Sequence, residues 1–111
     1  MELKVNNFDT ASSITLTGRF DAYEVNPVIA WIKGQVEAGH SRLVVNLEGV
    51  NFIDSTALSA LVQGLKRCRE KDGDLLLCCL QQPVRVIFEL TRLDKAFVIF
   101  TTRDEALMAF H

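Results

Sequence analysis

Apolar and polar residues alternate near the start of the chain with the two-residue period of β-strands. Residues 3–8 and 12–18 are each predicted to form a strand on this basis. The polar segment Asp9-Thr10-Ala11 between them predicts an antiparallel hairpin. Gly18 is expected to close this pair, because glycine permits a sharp change of chain direction.

Three later segments have the period of amphipathic helices. The first is expected to begin near Asn26, after an irregular turn from Asp21, and Gly39 is placed to end it. The second follows Asp54 and has a basic end that suits the negative end of the helix dipole. Its apolar stripe consists of Leu58, Leu61, Val62, Leu65 and Cys68. The third runs from about Pro83 to Leu90, with proline in its first turn.

Short apolar runs lie between and after these helices. Residues 42–47, 75–80 and 97–100 are each predicted to be a strand. The first run is apolar on both faces, which is typical of a strand inside a covered sheet. Residues 48–54, which precede the second helix, are predicted to be a loop.

A capping box, Thr102-Arg103-Asp104-Glu105, opens a last short helix that is expected to extend through Phe110. The predicted order is therefore β-β-α-β-α-β-α-β-α. Strands that alternate with helices require right-handed crossovers and a largely parallel sheet. The sequence predicts a single α/β domain over residues 1–111, with a mixed, mostly parallel sheet and the N-terminal hairpin as its antiparallel edge.

The composition argues against nucleic-acid binding and membrane insertion. The formal net charge is −2, so the chain has no basic footprint for nucleic acid. Residues 75–80 are the longest apolar run, which is too short to span a bilayer, and the N-terminus does not resemble a signal peptide. The basic residues in the second helix are interleaved with acidic ones and predict a solvated face; they are Lys66, Arg67, Arg69 and Lys71.

Three cysteines are present without the Cys-x-x-Cys spacing of many metal sites. Cys78 and Cys79 are adjacent, so in a strand they would point to opposite faces and be poorly placed to share a metal. Together with Cys68 they are predicted to be buried, reduced thiols of a cytoplasmic protein.

The sequence contains no pattern that indicates catalysis or a cofactor. His40 and His111 lie in no arrangement that activates a serine or binds a metal. No glycine-rich phosphate loop precedes a helix, and no Walker lysine is present. Asp54 and Ser55 are adjacent, and neighbouring residues rarely aim at each other across a helix start. We therefore expect that the chain is not an enzyme and needs no cofactor.

The most informative stretch is residues 50–58, in which an apolar loop leads into a helix. The first turn of this helix contains the carboxylate of Asp54 and the hydroxyls of Ser55 and Thr56. One interpretation is a helix cap, in which Asp54 or Ser55 satisfies free backbone amides and suits the positive end of the dipole. The residues alone favour this interpretation, because Asp-Ser-Thr before a helix is common.

Nearly the whole chain resembles the STAS domain family, which includes the anti-sigma factor antagonists. The resemblance rests on Thr17-Gly18-Arg19-Phe20-Asp21, Leu43-Val44-Val45-Asn46-Leu47 and Phe52-Ile53-Asp54-Ser55-Thr56-Ala57-Leu58. In the family the last segment usually reads F-x-D-S-[ST]-G-L, and its first hydroxyl residue is phosphorylated by a partner kinase. The resemblance thus implies that Ser55 is the phosphorylation site.

The resemblance also implies a partner-binding surface around this serine. Asp21 and Asp54 match acidic positions that the family uses near its partner, and Thr56 is expected to lie with them. Ala57 stands where the family usually has glycine, which leaves open how closely a partner approaches the helix start.

The implied function is a bacterial partner switch that regulates transcription. The unphosphorylated domain would bind an anti-sigma factor that is also an ATP-dependent serine kinase, and so free a sigma factor. Phosphorylation of Ser55 would end this binding, and a PP2C-type phosphatase would restore it. Two alternatives are a STAS subunit or scaffold of another regulatory or transport complex, and a small-molecule module that binds a nucleotide.

Overall fold

The computed structural model describes residues 1–110, which form five strands, four α-helices and one short 3-10 turn. The strands are β1 (Glu2–Asn7), β2 (Ser12–Phe20), β3 (Arg42–Ile53), β4 (Asp74–Cys78) and β5 (Ile99–Phe100). The helices are α1 (Val25–Glu37), α2 (Ser55–Glu70), α3 (Gln82–Leu90) and α4 (Arg103–Met108), and the 3-10 turn is Leu93–Lys95. The predicted order of strands and helices is confirmed. His111 lies outside the described residues.

The five strands form one mixed sheet in the order β1-β2-β3-β4-β5. β1 pairs with β2 antiparallel, and the other three pairings are parallel, as the sequence predicted. The carboxyl ends of β2 to β5 therefore meet at one edge of the sheet, which we call the carboxyl edge. The turn that begins at Asp21 and the start of α2 both lie there.

The two faces of the sheet are covered unequally. Helices α1, α2 and α3 pack on the first face and enclose the main core. Its buried residues include Leu58, Leu61 and Leu65 of the predicted helical stripe, and Leu43, Val45, Leu75 and Leu77 of the central strands. On the second face, α4 covers a smaller cluster that contains Val44, Leu76 and Cys78. A capping box of Thr102 and Glu105 starts α4, as predicted.

The prediction that residues 48–54 form a loop is wrong for all but the last of them. β3 continues to Ile53, because its second half pairs with β2 as far as Phe20. Gly18 does not close the hairpin either. It lies inside β2 with φ of +117°, at the register shift between Thr17 and Arg19, where glycine tolerates the positive φ of a strand irregularity.

The predicted strands 75–80 and 97–100 are both too long. β4 ends at Cys78 because Cys79 adopts a left-handed backbone with φ of +63°, which turns the chain out of the sheet. β5 contains only Ile99 and Phe100. Phe97 precedes it and is buried, with its ring edge-on to Phe88 at a centroid distance of 5.8 Å. Phe97 is therefore apolar because it packs into the core, although it lies outside the strand.

The cysteines and the basic residues agree with the sequence analysis except at one position. Cys68 and Cys78 are buried free thiols, but Cys79 is only half-buried. Burial, and then the negative charge of Asp74, raise the pKa of the Cys68 thiol to about 12, so this thiol is unreactive at neutral pH. The four basic residues of the second helix region are exposed, as predicted. Within residues 1–110, no helix combines the length and apolar character that a membrane crossing requires.

Candidate functional site

The side chain of Asp54 joins two segments at the carboxyl edge. One carboxylate oxygen accepts a hydrogen bond from the Ala57 amide at 2.9 Å, which makes Asp54 the N-cap of α2. The other oxygen accepts from the Ala22 amide at 3.0 Å. The Asp54 amide in turn donates to the carbonyl of Phe20 at 3.3 Å. The turn after β2 and the start of α2 are therefore held together by one residue.

This geometry decides between the two caps that the sequence allowed. Asp54 is the cap, and Ser55 is the first residue within the helix. Both oxygens of Asp54 accept backbone hydrogen bonds, so its role is structural and it is not arranged as a base for the neighbouring hydroxyl. The side chains of Ser55 and Thr56 are exposed. The Ser55 hydroxyl is therefore accessible to another protein.

Asp21 organises the turn on the other side of the site. One of its oxygens accepts from the Tyr23 amide at 3.0 Å, and the other lies 3.5 Å from Nε of Arg19. The guanidinium of Arg19 stacks on the ring of Phe52, 3.9 Å from its centroid. The side chain of Asp21 is only 14% exposed, so most of its surface serves the turn itself.

The predicted site residues are thus brought to one edge, with additions that the sequence analysis missed. Arg19 and Phe52 were noted as part of the resemblance, but no role was assigned to them. The signal for their contact is the register of the extended strands, in which Phe52 lies opposite Arg19. Tyr23 was also missed, although it borders the same turn and its side chain is 94% exposed.

Ala57 does not obstruct the helix start. Its side chain is fully buried in the main core, while its amide donates to Asp54. The methyl group therefore points away from any protein that approaches Ser55. Alanine, where the resemblance implies glycine, therefore adds no exposed side chain to the site.

Two further features bear on metals and small ligands. Residues 1–110 contain no group of three or more His, Cys, Asp or Glu side chains arranged to hold a metal ion. A concavity of about 580 Å³ lies at the opposite edge of the sheet, where β2 and β3 begin. Phe8, Gln35 and His40 are among its lining residues, and none of the predicted site residues contributes to it.

Comparison with known proteins identifies the family. The model of the STAS domain matches residues 2–106, which is almost the whole chain. The chain belongs to the STAS domain family. The predicted resemblance is therefore confirmed, and the five-stranded mixed sheet is the fold of its structural relatives.

Relatives of this STAS domain are named as regulators. The putative anti-sigma factor antagonist BtrV of Bordetella bronchiseptica is 28% identical over 110 residues, covering 99% of this chain and 95% of that protein. The structure of an anti-sigma factor antagonist from Mycobacterium paratuberculosis is 26% identical, with a TM-score of 0.87 and coverage of 98% and 92%. The Bacillus cell fate determinant SpoIIAA, solved in the phosphorylated form, has the same fold, with a TM-score of 0.79 at 19% identity and coverage of 99% and 100%.

The cap assignment leads to a stability prediction. Asp54→Ala is expected to lower the free energy of unfolding by about 1–2 kcal/mol, because it removes the cap of α2. Ser55→Ala, at an exposed position that caps nothing, is expected to change it by less than about 0.5 kcal/mol. Urea denaturation of both variants beside wild type measures the difference. Equal losses in the two variants would show that Ser55 shares the capping role.

Proposed function

We propose that this STAS domain is an anti-sigma factor antagonist of the partner-switching type. The proposal rests on one observation, the exposed hydroxyl of Ser55 at the start of a helix that Asp54 fixes in place. The names of the Bordetella and Mycobacterium relatives support it. In its unphosphorylated form, the domain binds an anti-sigma factor that is also a serine kinase, and a sigma factor is released.

The covalent step belongs to the partners. The kinase transfers the γ-phosphoryl group of ATP to Oγ of Ser55, with loss of the hydroxyl proton and release of ADP. A PP2C-type phosphatase hydrolyses the phosphate ester and regenerates the serine. The domain, proposed to span residues 1–111 and to act in the cytoplasm, supplies the acceptor and binds no cofactor of its own. Its role is regulatory rather than catalytic.

The four proposed site residues have different tasks in this cycle. Ser55 accepts the phosphate, and Thr56 contacts the partner directly, because both side chains are exposed. Asp21 and Asp54 contribute to partner binding mainly by fixing the turn after β2 and the start of α2. Their carboxylates accept backbone hydrogen bonds from Tyr23, Ala22 and Ala57.

Affinity purification followed by mass spectrometry tests this function. The wild-type domain and Ser55→Ala, each isolated from growing cells of the source bacterium, are expected to recover the same serine kinase. Phosphate is expected on Ser55 of the wild type and nowhere on Ser55→Ala. Thr56→Ala is the matched control, since it alters the neighbouring hydroxyl and is expected to leave phosphorylation of Ser55 intact. Phosphate found only on Thr56, or on neither residue, would contradict the assignment.

A further inference from the structure

Tyr23 combines an exposed side chain with a firmly held backbone. Its side chain is 94% exposed, more than that of any other large apolar residue within residues 1–110. Its amide donates to a carboxylate oxygen of Asp21 at 3.0 Å, and the Glu24 amide donates to the Asp21 carbonyl, also at 3.0 Å. The polypeptide thus presents this aromatic ring to solvent from a turn that several hydrogen bonds define.

The same turn is tied to the proposed phosphorylation site. The carboxylate of Asp54 accepts from Ala22, the residue before Tyr23, and from Ala57 in the first turn of α2. Ser55 lies between Asp54 and Ala57 in that helix start. Tyr23 and Ser55 therefore belong to two segments that Asp54 joins at the carboxyl edge, and we expect a protein that binds at the Ser55 hydroxyl to reach Tyr23 as well.

We infer that Tyr23 is the aromatic anchor by which the serine kinase holds this domain. The inference rests on the proposed function and adds the chemistry of the partner surface, an apolar pocket that accepts a phenol ring. Tyrosine is enriched among residues that dominate binding energy, because it offers a large rigid surface with few rotatable bonds. A backbone already ordered in the free domain reduces the entropy lost on binding.

Three variants of the full chain test the anchor. Tyr23→Ala removes the ring, Tyr23→Phe keeps it without the hydroxyl, and Leu90→Ala removes a large side chain that is 75% exposed at the end of α3. The probe is the recombinant kinase that phosphorylates Ser55 of the wild type, loaded with ADP. Calorimetry measures its affinity, and initial rates of Ser55 phosphorylation give KM and kcat.

Tyr23→Ala is expected to bind at least about 30-fold more weakly, the factor that corresponds to a hot-spot loss of about 2 kcal/mol. Its KM should rise while its kcat and melting temperature stay close to wild type. Tyr23→Phe is expected to retain most of the affinity, and Leu90→Ala all of it. An affinity of Tyr23→Ala within about threefold of wild type would overturn the anchor alone, since a hot spot costs far more. Failure of the wild type to bind or be phosphorylated would instead overturn the proposed function, and the anchor with it.

Discussion

Phosphorylation of Ser55 is expected to weaken binding to the anti-sigma factor kinase by more than about a hundredfold, which corresponds to about 3 kcal/mol. A phosphate adds a charge of about −1.5 to −2 at pH 7, and in the complex this charge would be buried beside the Asp54 carboxylate. Burying a charge without a cationic partner costs several kcal/mol. Phosphorylation is therefore expected to destabilise the complex far more than it destabilises the folded domain.

The isolated domain is expected to tolerate the phosphate. Ser55 is exposed and is the first residue of α2, where the positive end of the helix dipole favours an anion by about 0.3–1 kcal/mol. Asp54 already accepts the hydrogen bond of the Ala57 amide. The amides of Ser55 and Thr56 are among those that a helix start leaves without intrahelical partners, so they are available to the phosphate. The melting temperature should thus stay near that of the unmodified protein.

Phosphorylated and unphosphorylated wild type, with affinity and melting temperature measured on the same samples, provide the decisive comparison. Ser55→Ala is the control that binds with near-normal affinity and is not released by ATP. Ser55→Asp is expected to weaken binding only in part, because aspartate has less charge and fewer oxygens than phosphate. Equal affinities of the two forms would rule out the switch. A large fall in melting temperature would show that phosphate acts by disrupting the helix start.

Leu61→Ala is expected to lower the free energy of unfolding by about 2–5 kcal/mol. Leu61 is fully buried on the face of α2 that packs against the sheet. The packing beside it is tight: a Cβ added at Gly64 would lie 2.9 Å from Ile32 and 3.1 Å from Leu75. Helix and sheet are already in close contact there, so the structure has little freedom to collapse into the space that the leucine leaves.

Chemical denaturation monitored by circular dichroism measures this loss. Leu90→Ala is the matched control, because it removes the same atoms from an exposed position and is expected to cost less than about 0.5 kcal/mol. A loss below about 1 kcal/mol for Leu61→Ala would mean that another face of α2 is buried.

The order of elements could be predicted because each segment has a clear period and clear boundaries. The stripe from Leu58 to Cys68 and the apolar run 42–47 are examples in which periodicity alone was sufficient. The ends of the strands were not predictable, because they depend on partners distant in the sequence. β3 continues past Leu47 only because β2 extends beside it, and the register shifts near Thr17 break the alternation that marks a strand.

The sequence named residues that the structure brings to one edge, but it left open whether Asp54 or Ser55 caps the helix. Asp54 and Ser55 are both good capping residues, and a displacement of the helix start by one residue exchanges their tasks. Only the bonds from Ala57 and Ala22 show which residue is the cap. The exposure of Tyr23 depends on a turn whose hydrogen bonds join segments 32 residues apart, and no local pattern encodes that contact.

The unequal cover of the sheet has a consequence for how the native state fluctuates. The second face of the sheet is closed by α4, a helix of only six residues, whereas three longer helices share the main core. Local opening costs the least free energy where few apolar contacts and hydrogen bonds must be broken, so we expect α4 to detach before the rest of the fold unfolds. Such an opening uncovers Cys78 beneath it. Cys78 has no part in the proposed chemistry, so chemical labelling of its thiol is expected to report this partial opening of the domain.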